Sequence, residues 1–245
     1  MPKPYGLVEE FGALVMERVE ERRIMSSGVP ERQRIRAFVA IGRICRRWHE
    51  IDADVVEGAV VMSPDDITTA IRGDAARLGD FGLGPMKATW WPGILDELVP
   101  DDLDVALVAT HGDLHLGNVL MTGSFDPLFV DAALVRAPAI HDVAHLSTSI
   151  RTSRAALTGG VANRLRVERR VSALMAGFGL HDRRLFALDE LAIMLDQWSD
   201  VRTDLAMGQG RRVRAVGVRL ADRLFSTELE RWYDRVVSIR SDSPT

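Results

Sequence analysis

An eight-residue polar loop at 111–118, HGDLHLGN, constrains this chain more than any other feature. An apolar run at 105–108 leads into the loop, and Val119 to Met121 lead out of it. Short apolar runs bounded by turn residues are typical of buried strands. The pattern therefore predicts a tight turn between two rigid strand edges, an arrangement that fixes polar side chains for chemistry.

The polar residues of the loop have the spacing of a phosphoryl-transfer site. In such a loop an Asp takes the proton of the attacking hydroxyl, and an Asn five residues later holds magnesium. Asp113 and Asn118 have that spacing, and Asp131 ends the apolar segment 128–130 farther along the chain. Because Mg²⁺ prefers a few oxygen ligands together with phosphates, Asp113 is the candidate catalytic base and Asn118 and Asp131 are candidate metal ligands. A polar turn in which Asp113 caps a helix is the competing interpretation.

The segment HGDLHLGNVL also resembles the HGDLHPGNVL-type signature of the aminoglycoside phosphotransferase and choline kinase-like family. This family is the small-molecule branch of the protein-kinase-like fold. Leu116 stands where the usual motif has proline. Asp131 falls where the family has an Asp at the end of a strand, although Ala132 replaces the residue that usually follows it.

A second segment, PAIHDVA at 138–144, is similar to the family's G-D-P-x-x-D-L-A segment. The resemblance implies that Asp142 begins a helix and supports the catalytic loop through hydrogen bonds. Without the resemblance, Asp142 is equally well explained as a first-turn carboxylate that the helix dipole favours.

The resemblance implies an α/β (α+β) protein of the protein-kinase-like fold. Residues 21–245 would form a mainly helical C-terminal lobe, and residues 1–20 would be the remnant of a truncated β N-terminal lobe with its hinge. The implied cofactors are ATP and Mg²⁺. The implied reaction moves the γ-phosphate to a hydroxyl of a small molecule such as an aminoglycoside-like antibiotic, a sugar or an amino alcohol.

Two extended segments near the start of the chain, 2–6 and 13–19, resemble the strands that precede the kinase hinge. Met16 would then back the adenine pocket, and the backbone of Glu17 to Val19 would hydrogen-bond to the adenine edge. An amphipathic hairpin with Leu14 and Met16 in its core explains the same pattern.

The residues that grip the ATP phosphates in kinases are not evident in this sequence. No G-x-G-x-x-G precedes the hinge, and Lys3 is the only lysine there. This favours an alternative, a truncated or catalytically impaired kinase-like protein that binds a nucleotide or a partner. A DFG triplet begins at Asp80, but it precedes the catalytic loop instead of following it, so we expect 79–93 to be a loop.

Four histidines lie near the motif. His111 is expected to pack and hydrogen-bond structurally, and His115 to hydrogen-bond to the loop backbone. His141 and His145 are four apart, a spacing that can bind zinc on a helix. The sequence offers no Glu between them as in H-E-x-x-H and no evident third ligand.

Three acidic residues, Asp196, Asp200 and Asp204, are spaced four apart in a segment with a helical pattern. They could face a cationic, amine-bearing substrate, because this part of the family's fold forms the acceptor pocket. A solvent-facing acidic stripe is the competing interpretation.

Composition narrows the possible partners. The net charge of −4 argues against a general nucleic-acid binder. No apolar stretch approaches the ~20 residues that cross a membrane, and no apolar leader follows Met1. The single cysteine, Cys45, excludes an internal disulfide and fits a reducing cytoplasm. We therefore expect a cytoplasmic protein that acts on small molecules.

The remaining periodicity predicts a mainly helical chain. Apolar spacing, caps and glycine breaks predict helices over 31–49, 65–78 with Ser63-Pro64 at its start, 94–98, 142–157, 161–176, 182–206 and 211–238.

Overall fold

The computed structural model describes residues 4–8, 13–16, 22–26, 28–48, 50, 61–82, 95, 98, 106–122, 124, 126–153, 160–180, 183–206 and 211–241. The strands within these residues are β1 (Pro4–Val8), β2 (Ala13–Met16), β3 (Arg22–Arg23), β4 (Leu107–Thr110), β5 (Val119–Met121), β6 (Pro127–Phe129) and β7 (Val135–Pro138). The helices are α1 (Glu31–Trp48), α2 (Pro64–Asp80), α3 (His141–Arg151), α4 (Gly160–Phe178), α5 (Arg183–Ala206) and α6 (Arg211–Ser241).

The strands form three small antiparallel sheets. β1 pairs with β2, β4 pairs with β7, and β5 lies between β3 and β6. β4 and β7 belong to one sheet, and β5 and β6 belong to another. The connection from β4 to β5 and the connection from β6 to β7 therefore both run between these two sheets. These two connections carry the polar motif and Asp131.

Helix α2 starts at the position that its sequence predicts. Ser63 is the N-cap, Pro64 occupies the first turn, and Asp66 completes a reciprocal capping box with Ser63. Just before the cap, the Met62 N–H donates to the carbonyl of Arg136 in β7 at 2.8 Å. This contact anchors the start of α2 beside the sheet that leads into the polar loop.

The backbones of α1 and α4 come very close together where the two helices cross. A Cβ added to Gly42 would lie 2.2 Å from the carbonyl oxygen of Leu174, and one added to Gly177 would lie 2.1 Å from the carbonyl oxygen of Val39. Both distances are far below van der Waals contact, so the two helix backbones approach as closely as they do only because neither residue has a side chain. Cys45 is fully buried in the same core.

A buried charge cluster connects the last four helices. Arg151 of α3 pairs with Glu168 of α4, with Glu190 of α5 at 3.2 Å and with Glu228 of α6 at 3.7 Å. Arg235 bridges Glu190 and Glu228 at 3.4 and 2.9 Å. Pairing and hydrogen bonding offset the desolvation of these charges, and removing one partner would leave the others buried and uncompensated.

The helices agree with the predicted ones within a few residues, with two differences at their ends. α3 ends at Arg151 with Thr152 as its C-cap, short of the predicted 157. α2 runs on through Gly79 and Asp80, so the first two residues of the predicted loop 79–93 are helical, and Phe81 caps the helix. Residues 83–93 lie outside the described residues. From the predicted helix 94–98, only Leu95 and Leu98 are described, and both are helical and buried.

Two strands were not predicted, β3 and β7. The fold is otherwise the expected mixture of helix and sheet, mainly helical. No helix within the described ranges has the length and apolar content to span a membrane. The division of the chain at residue 20 stays a prediction.

Candidate active site

The polar loop 111–118 connects β4 to β5 and is tied to the connection between β6 and β7. The N–H groups of Ala133 and Leu134 both donate to the carbonyl of His111, at 2.8 and 3.1 Å. The Val130 N–H donates to the carbonyl of Asn118 at 3.1 Å. Both ends of the loop are therefore held by the segment that contains Asp131.

Gly112 makes the turn possible. Its φ of +81° lies in the left-handed region, and a Cβ there would come within 2.5 Å of Val135 Cγ2. Any other residue would be strained in backbone and would also collide with β7. The backbone thus makes a sharp bend immediately before Asp113.

Asp142 holds this bend from the first turn of α3. Its Oδ2 accepts the N–H of His111 at 2.8 Å, and its Oδ1 accepts the N–H of Gly112 at 3.0 Å. Burial raises the pKa of Asp142 above its ordinary value, while the two backbone hydrogen bonds and His141 act in the opposite direction. One carboxylate therefore satisfies two buried backbone donors next to the candidate base.

His111 is a packing residue in the structure. Its ring is fully buried, lies 6.0 Å from Trp48 and 5.9 Å from Phe129 between ring centroids, and its Nε2 bonds to the carbonyl of Val130 at 2.9 Å. The ring thus connects α1 to the two loop segments.

Asp113 carries its carboxylate into partly open space, with 49% of the side chain exposed. The Asn118 amide nitrogen donates to its backbone carbonyl at 2.9 Å and lies 3.3 Å from its Oδ2. His115 Nε2 lies 3.7 Å from Oδ2, and His145 Nε2 lies 3.9 Å from Oδ1. Asn118 and two imidazoles thus surround the carboxylate.

The centre of the loop has its own support. His115 Nδ1 accepts the N–H of Gly117 at 2.9 Å. Leu116, which stands where the family signature has proline, uses the N–H that proline would lack, donating it to Ser149 Oγ at 3.0 Å. Ser149 lies on α3, so the same helix that carries Asp142 also holds the far side of the loop.

Asp131 directly follows Val130, whose N–H donates to the Asn118 carbonyl. The backbone of Asp131 therefore lies close to that of Asn118. Its backbone is left-handed, with a φ of 54°, and its side chain is exposed. Both hydrogen bonds recorded for the Asn118 side chain use its nitrogen. The amide oxygen of Asn118 and the carboxylate of Asp131 are oxygen atoms of the kind that a hard cation binds.

A cleft of about 480 Å³ opens beside the loop. Gly112 and His145 form the side nearest the candidate base, α2 supplies one wall and α5 the other. Four carboxylates line it, and its lining comprises Val61, Met62, Asp66, Ile67, Ala70, Asp74, Gly112, His141, His145, Asp189, Ala192, Ile193 and Asp196.

The pair His141 and His145 belongs to this cleft. His141 Nδ1 lies 3.0 Å from Asp189 Oδ2, and both side chains are buried. Burial alone would lower the pKa of His141, but Asp189 outweighs it and raises that pKa to about 9. Burial together with the charge of His141 lowers the pKa of His145 to about 4. Within the described residues, no group of three His, Cys, Asp or Glu could hold a metal ion.

The predicted acidic stripe is divided by the structure. All three side chains are exposed on α5, but Asp196 alone belongs to the lining of the cleft. Burial, helped by Asp200 and Asp74, raises the pKa of Asp196. The sequence pattern did not single out Asp74 and Asp189 as cleft residues, because they lie on two different helices.

The predicted adenine-binding residues are only partly described. Met16 is the last residue of β2 and is paired with Pro4. Glu17 and Val19 lie outside the described residues.

Solved structures share this architecture. A choline/ethanolamine kinase family protein from Mesorhizobium loti aligns with a TM-score of 0.55 and 14% identity, over 96% of this chain and 76% of that one. Spectinomycin phosphotransferase in complex with AMP gives 0.54 and 15%, over 93% and 79%. A macrolide 2'-phosphotransferase type I gives 0.53 and 15%, over 87% and 69%. The fold is therefore the protein-kinase-like fold of small-molecule phosphotransferases, as predicted.

The family follows from a comparison of sequences. The model of the phosphotransferase enzyme family matches residues 1–186, well over half of the chain. The chain therefore belongs to the phosphotransferase enzyme family, which confirms the resemblance of its loop. A search of curated protein sequences found no match.

Proposed function

We propose that this phosphotransferase moves the γ-phosphate of ATP to a hydroxyl group of a small, amine-bearing molecule. The observation that carries the proposal is the set of contacts around Asp113. Its side chain is half exposed beside Gly112, which lines the cleft, its backbone is held by Asp142 through the neighbouring residues, and Asn118 lies beside it.

Asp113 is the proposed base. The acceptor hydroxyl gives its proton to the Asp113 carboxylate as its oxygen bonds to the γ-phosphorus. The bond from phosphorus to the bridging oxygen breaks, and ADP leaves with that electron pair. Such transfers need mainly positioning and charge stabilisation, so an Asp held at fixed geometry suffices.

Asn118 and Asp131 are the proposed magnesium ligands. An amide oxygen and a carboxylate fit a hard cation that completes its shell with phosphates and water. When bound, the ion would neutralise charge on the phosphate oxygens. The hydrogen bond from the Val130 N–H to the Asn118 carbonyl joins the two backbone segments that carry these proposed ligands.

The acceptor is proposed to be cationic because the cleft is acidic. Asp66, Asp74, Asp189 and Asp196 line it. Two of these carboxylates are already paired, Asp189 with His141 and Asp74 with Arg77, so Asp66 and Asp196 are the ones that would meet a cation. Charges of one sign in a cleft with low-dielectric walls attract the opposite charge. Asp196 is the predicted substrate residue that the cleft supports, while Asp200 and Asp204 belong to the solvent-facing surface of α5.

ATP is proposed to bind on the side of β2. Met16 would back the adenine ring and the backbone of Glu17 to Val19 would hydrogen-bond to it. AMP in the spectinomycin phosphotransferase structure belongs to that protein, and it supports only the expectation that this fold accepts an adenine nucleotide.

A second function rests on the sequence. No G-x-G-x-x-G precedes residue 17, and Lys3 is the only lysine there. A catalytically impaired protein that binds a nucleotide or a partner would need neither.

Turnover measurements separate the two functions. Wild type and Asp113→Asn are incubated with ATP and magnesium, with choline, ethanolamine, spectinomycin and kanamycin as acceptors. We expect turnover by the wild type and a loss of about 10²–10⁴-fold in Asp113→Asn, the range of general-base catalysis, with nucleotide affinity unchanged. Equal background rates in the two proteins, with nucleotide still bound, would favour the binding module.

A matched pair tests the acceptor site. Asp196→Asn should raise KM for the amine-bearing acceptor several-fold and leave KM for ATP unchanged. Asp204→Asn, the same change on the same helix outside the cleft, should alter neither constant.

A further inference from the structure

We propose that His145 positions the catalytic carboxylate: as a neutral imidazole it donates an Nε2 hydrogen bond to Oδ1 of Asp113 and aims the base at the acceptor hydroxyl. This inference rests on the proposed function. His145 lies outside the HGDLHLGN motif, and the sequence suggested only a metal-binding role for it.

The geometry of Asp113 leaves one oxygen for His145. Its Oδ2 lies 3.3 Å from the Asn118 nitrogen and 3.7 Å from His115 Nε2. Its Oδ1 lies 3.9 Å from His145 Nε2. That gap is about one ångström longer than a hydrogen bond, and catalytic hydrogen bonds commonly shorten when substrate binds. A small turn of the half-exposed Asp113 side chain closes it.

The two nitrogens of His145 face different surroundings. Its side chain is only 16% exposed. Nδ1 is buried, and none of the described residues gives it a hydrogen-bond partner. A buried N–H without an acceptor is costly, so the favoured tautomer carries its proton on Nε2. That proton points toward Asp113.

The surroundings also decide the charge of the ring. The His141 imidazole, one helical turn earlier, lies 6.0 Å away between centroids and is paired with Asp189. His141 and His115 disfavour a second positive charge, while Asp113 and Asp189 favour it. Burial also disfavours a positive charge on His145 and is the largest of these effects. The pKa of His145 is therefore lowered to about 4.

The remaining charged groups around the cleft come from the two helices that form its walls. Asp66 and Asp74 belong to α2, and Asp196 belongs to α5. Their charges act in the same direction as that of Asp189, yet they are not among the largest influences on His145. The ring is therefore neutral at physiological pH.

A neutral donor suits a general base better than a charged one. An imidazolium beside Asp113 would stabilise its ionised form strongly and weaken it as a proton acceptor. A neutral N–H fixes the direction of the carboxylate at a smaller loss of basicity. The burial of His145 and the positive charge of His141 thus serve the positioning role, since together they keep His145 uncharged.

The first test needs no substrate. Nitrogen NMR of the ¹⁵N-labelled full chain should show His145, assigned by its loss in His145→Gln, as a neutral Nε2–H ring from pH 5.5 to 8. Asp113→Asn should shift its Nε2 resonance. A charged ring at pH 7, an Nδ1–H tautomer or no response to Asp113→Asn would overturn the proposal.

The second test compares His145→Gln, which keeps a nitrogen donor, with His145→Leu, which keeps only volume. Using ATP, magnesium and the fastest acceptor of the panel above, we expect His145→Leu to lose about 10–100-fold in kcat, the range reported for small misplacements of reacting groups. KM should stay within about twofold, and His145→Gln should retain most of kcat. Equal losses in both variants, or a loss confined to KM, would contradict a positioning role.

Different results would overturn the phosphotransfer proposal and the positioning role of His145. Absence of turnover by the wild type would overturn the phosphotransfer proposal, and the NMR result would still decide the tautomer and the contact of His145. Turnover that is normal in His145→Leu would overturn the positioning role alone. Melting temperatures of both variants verify that each is folded.

Discussion

The catalytic loop and the crossing of α1 with α4 are held by opposite means. The loop at 111–118 is fixed by individual hydrogen bonds to its backbone, and it leaves Asp113 half exposed. The crossing consists mainly of apolar side chains and two glycines whose backbones touch the partner helix, with one ion pair, Arg170 to Glu31, at the start of α1. Function therefore depends on a few polar contacts that can be removed one at a time, whereas stability depends on close packing that tolerates almost no added atom.

The largest effect is expected when a side chain is added where α1 crosses α4. Gly177→Ala would place a methyl group 2.1 Å from the Val39 carbonyl, so the helices must separate. We expect the free energy of unfolding to fall by about 3 kcal/mol, the upper part of the range for overpacked cores. The activity per folded molecule should change little. Urea unfolding followed by circular dichroism measures the loss.

A matched control is available on α2. Around Gly73 an added Cβ would meet nothing within 4 Å. Gly73→Ala should therefore stabilise the protein by about 0.5–1 kcal/mol through helix propensity. If both substitutions stabilise, the close approach of α1 and α4 is not a constraint.

An effect of intermediate size is expected from pH, and it tests the ion pair between α3, which holds the loop, and α5. The pKa of His141 is about 9 in the folded protein and 6.5 ordinarily. The folded protein therefore holds its proton more tightly, and this stabilisation is complete below pH 6.5 and disappears as the pH rises through 9. We expect Asp189→Asn to cost about 2 kcal/mol near pH 6.5, roughly the scale of such shifts.

The difference between wild type and Asp189→Asn should be much smaller at pH 9.5, because most of the His141 is then neutral in the wild type as well. Unfolding curves in urea at pH 6.5, 8 and 9.5 provide the measurement. A difference that is constant across this range would mean that Asp189 stabilises the fold without a charged partner.

The smallest effect concerns the hydrogen bond that replaces a proline. Ser149→Ala removes the acceptor of the Leu116 N–H and should cost about 1 kcal/mol of unfolding free energy. In a Leu116→Pro background the N–H is absent, so the same change should cost almost nothing. A double-mutant cycle by thermal unfolding gives the coupling energy. Additive losses would show that Ser149 acts elsewhere.

Local signals in the sequence predicted the elements that local chemistry determines. Ser63, Pro64 and Asp66 specify the start of α2 within the segment itself, and the polar loop has strands on both sides as its apolar flanks indicate. The family and fold class were likewise predicted from the loop. The two missed strands lack such signals: β3 has two residues, both arginine, and β7 contains Arg136 and ends in proline. Their pairing partners alone make them strands.

The residues that line the cleft could not be predicted from the spacing of acidic residues along α5 alone. A spacing of four residues rotates about 40° per step around a helix of 3.6 residues per turn, so Asp204 lies about 80° and about 12 Å from Asp196. The stripe therefore leaves the cleft after its first member. Asp74 and Asp189 lie on different helices, and only the tertiary contact between α2 and α5 brings them to the same cavity.

The short strand β3 has a mechanical consequence. Arg22 and Arg23 pair with Met121 and Leu120, and these two residues lie only a few positions after Asn118. Tension applied to the segment before residue 22 is therefore transmitted, through backbone hydrogen bonds, to the hairpin that carries a proposed metal ligand.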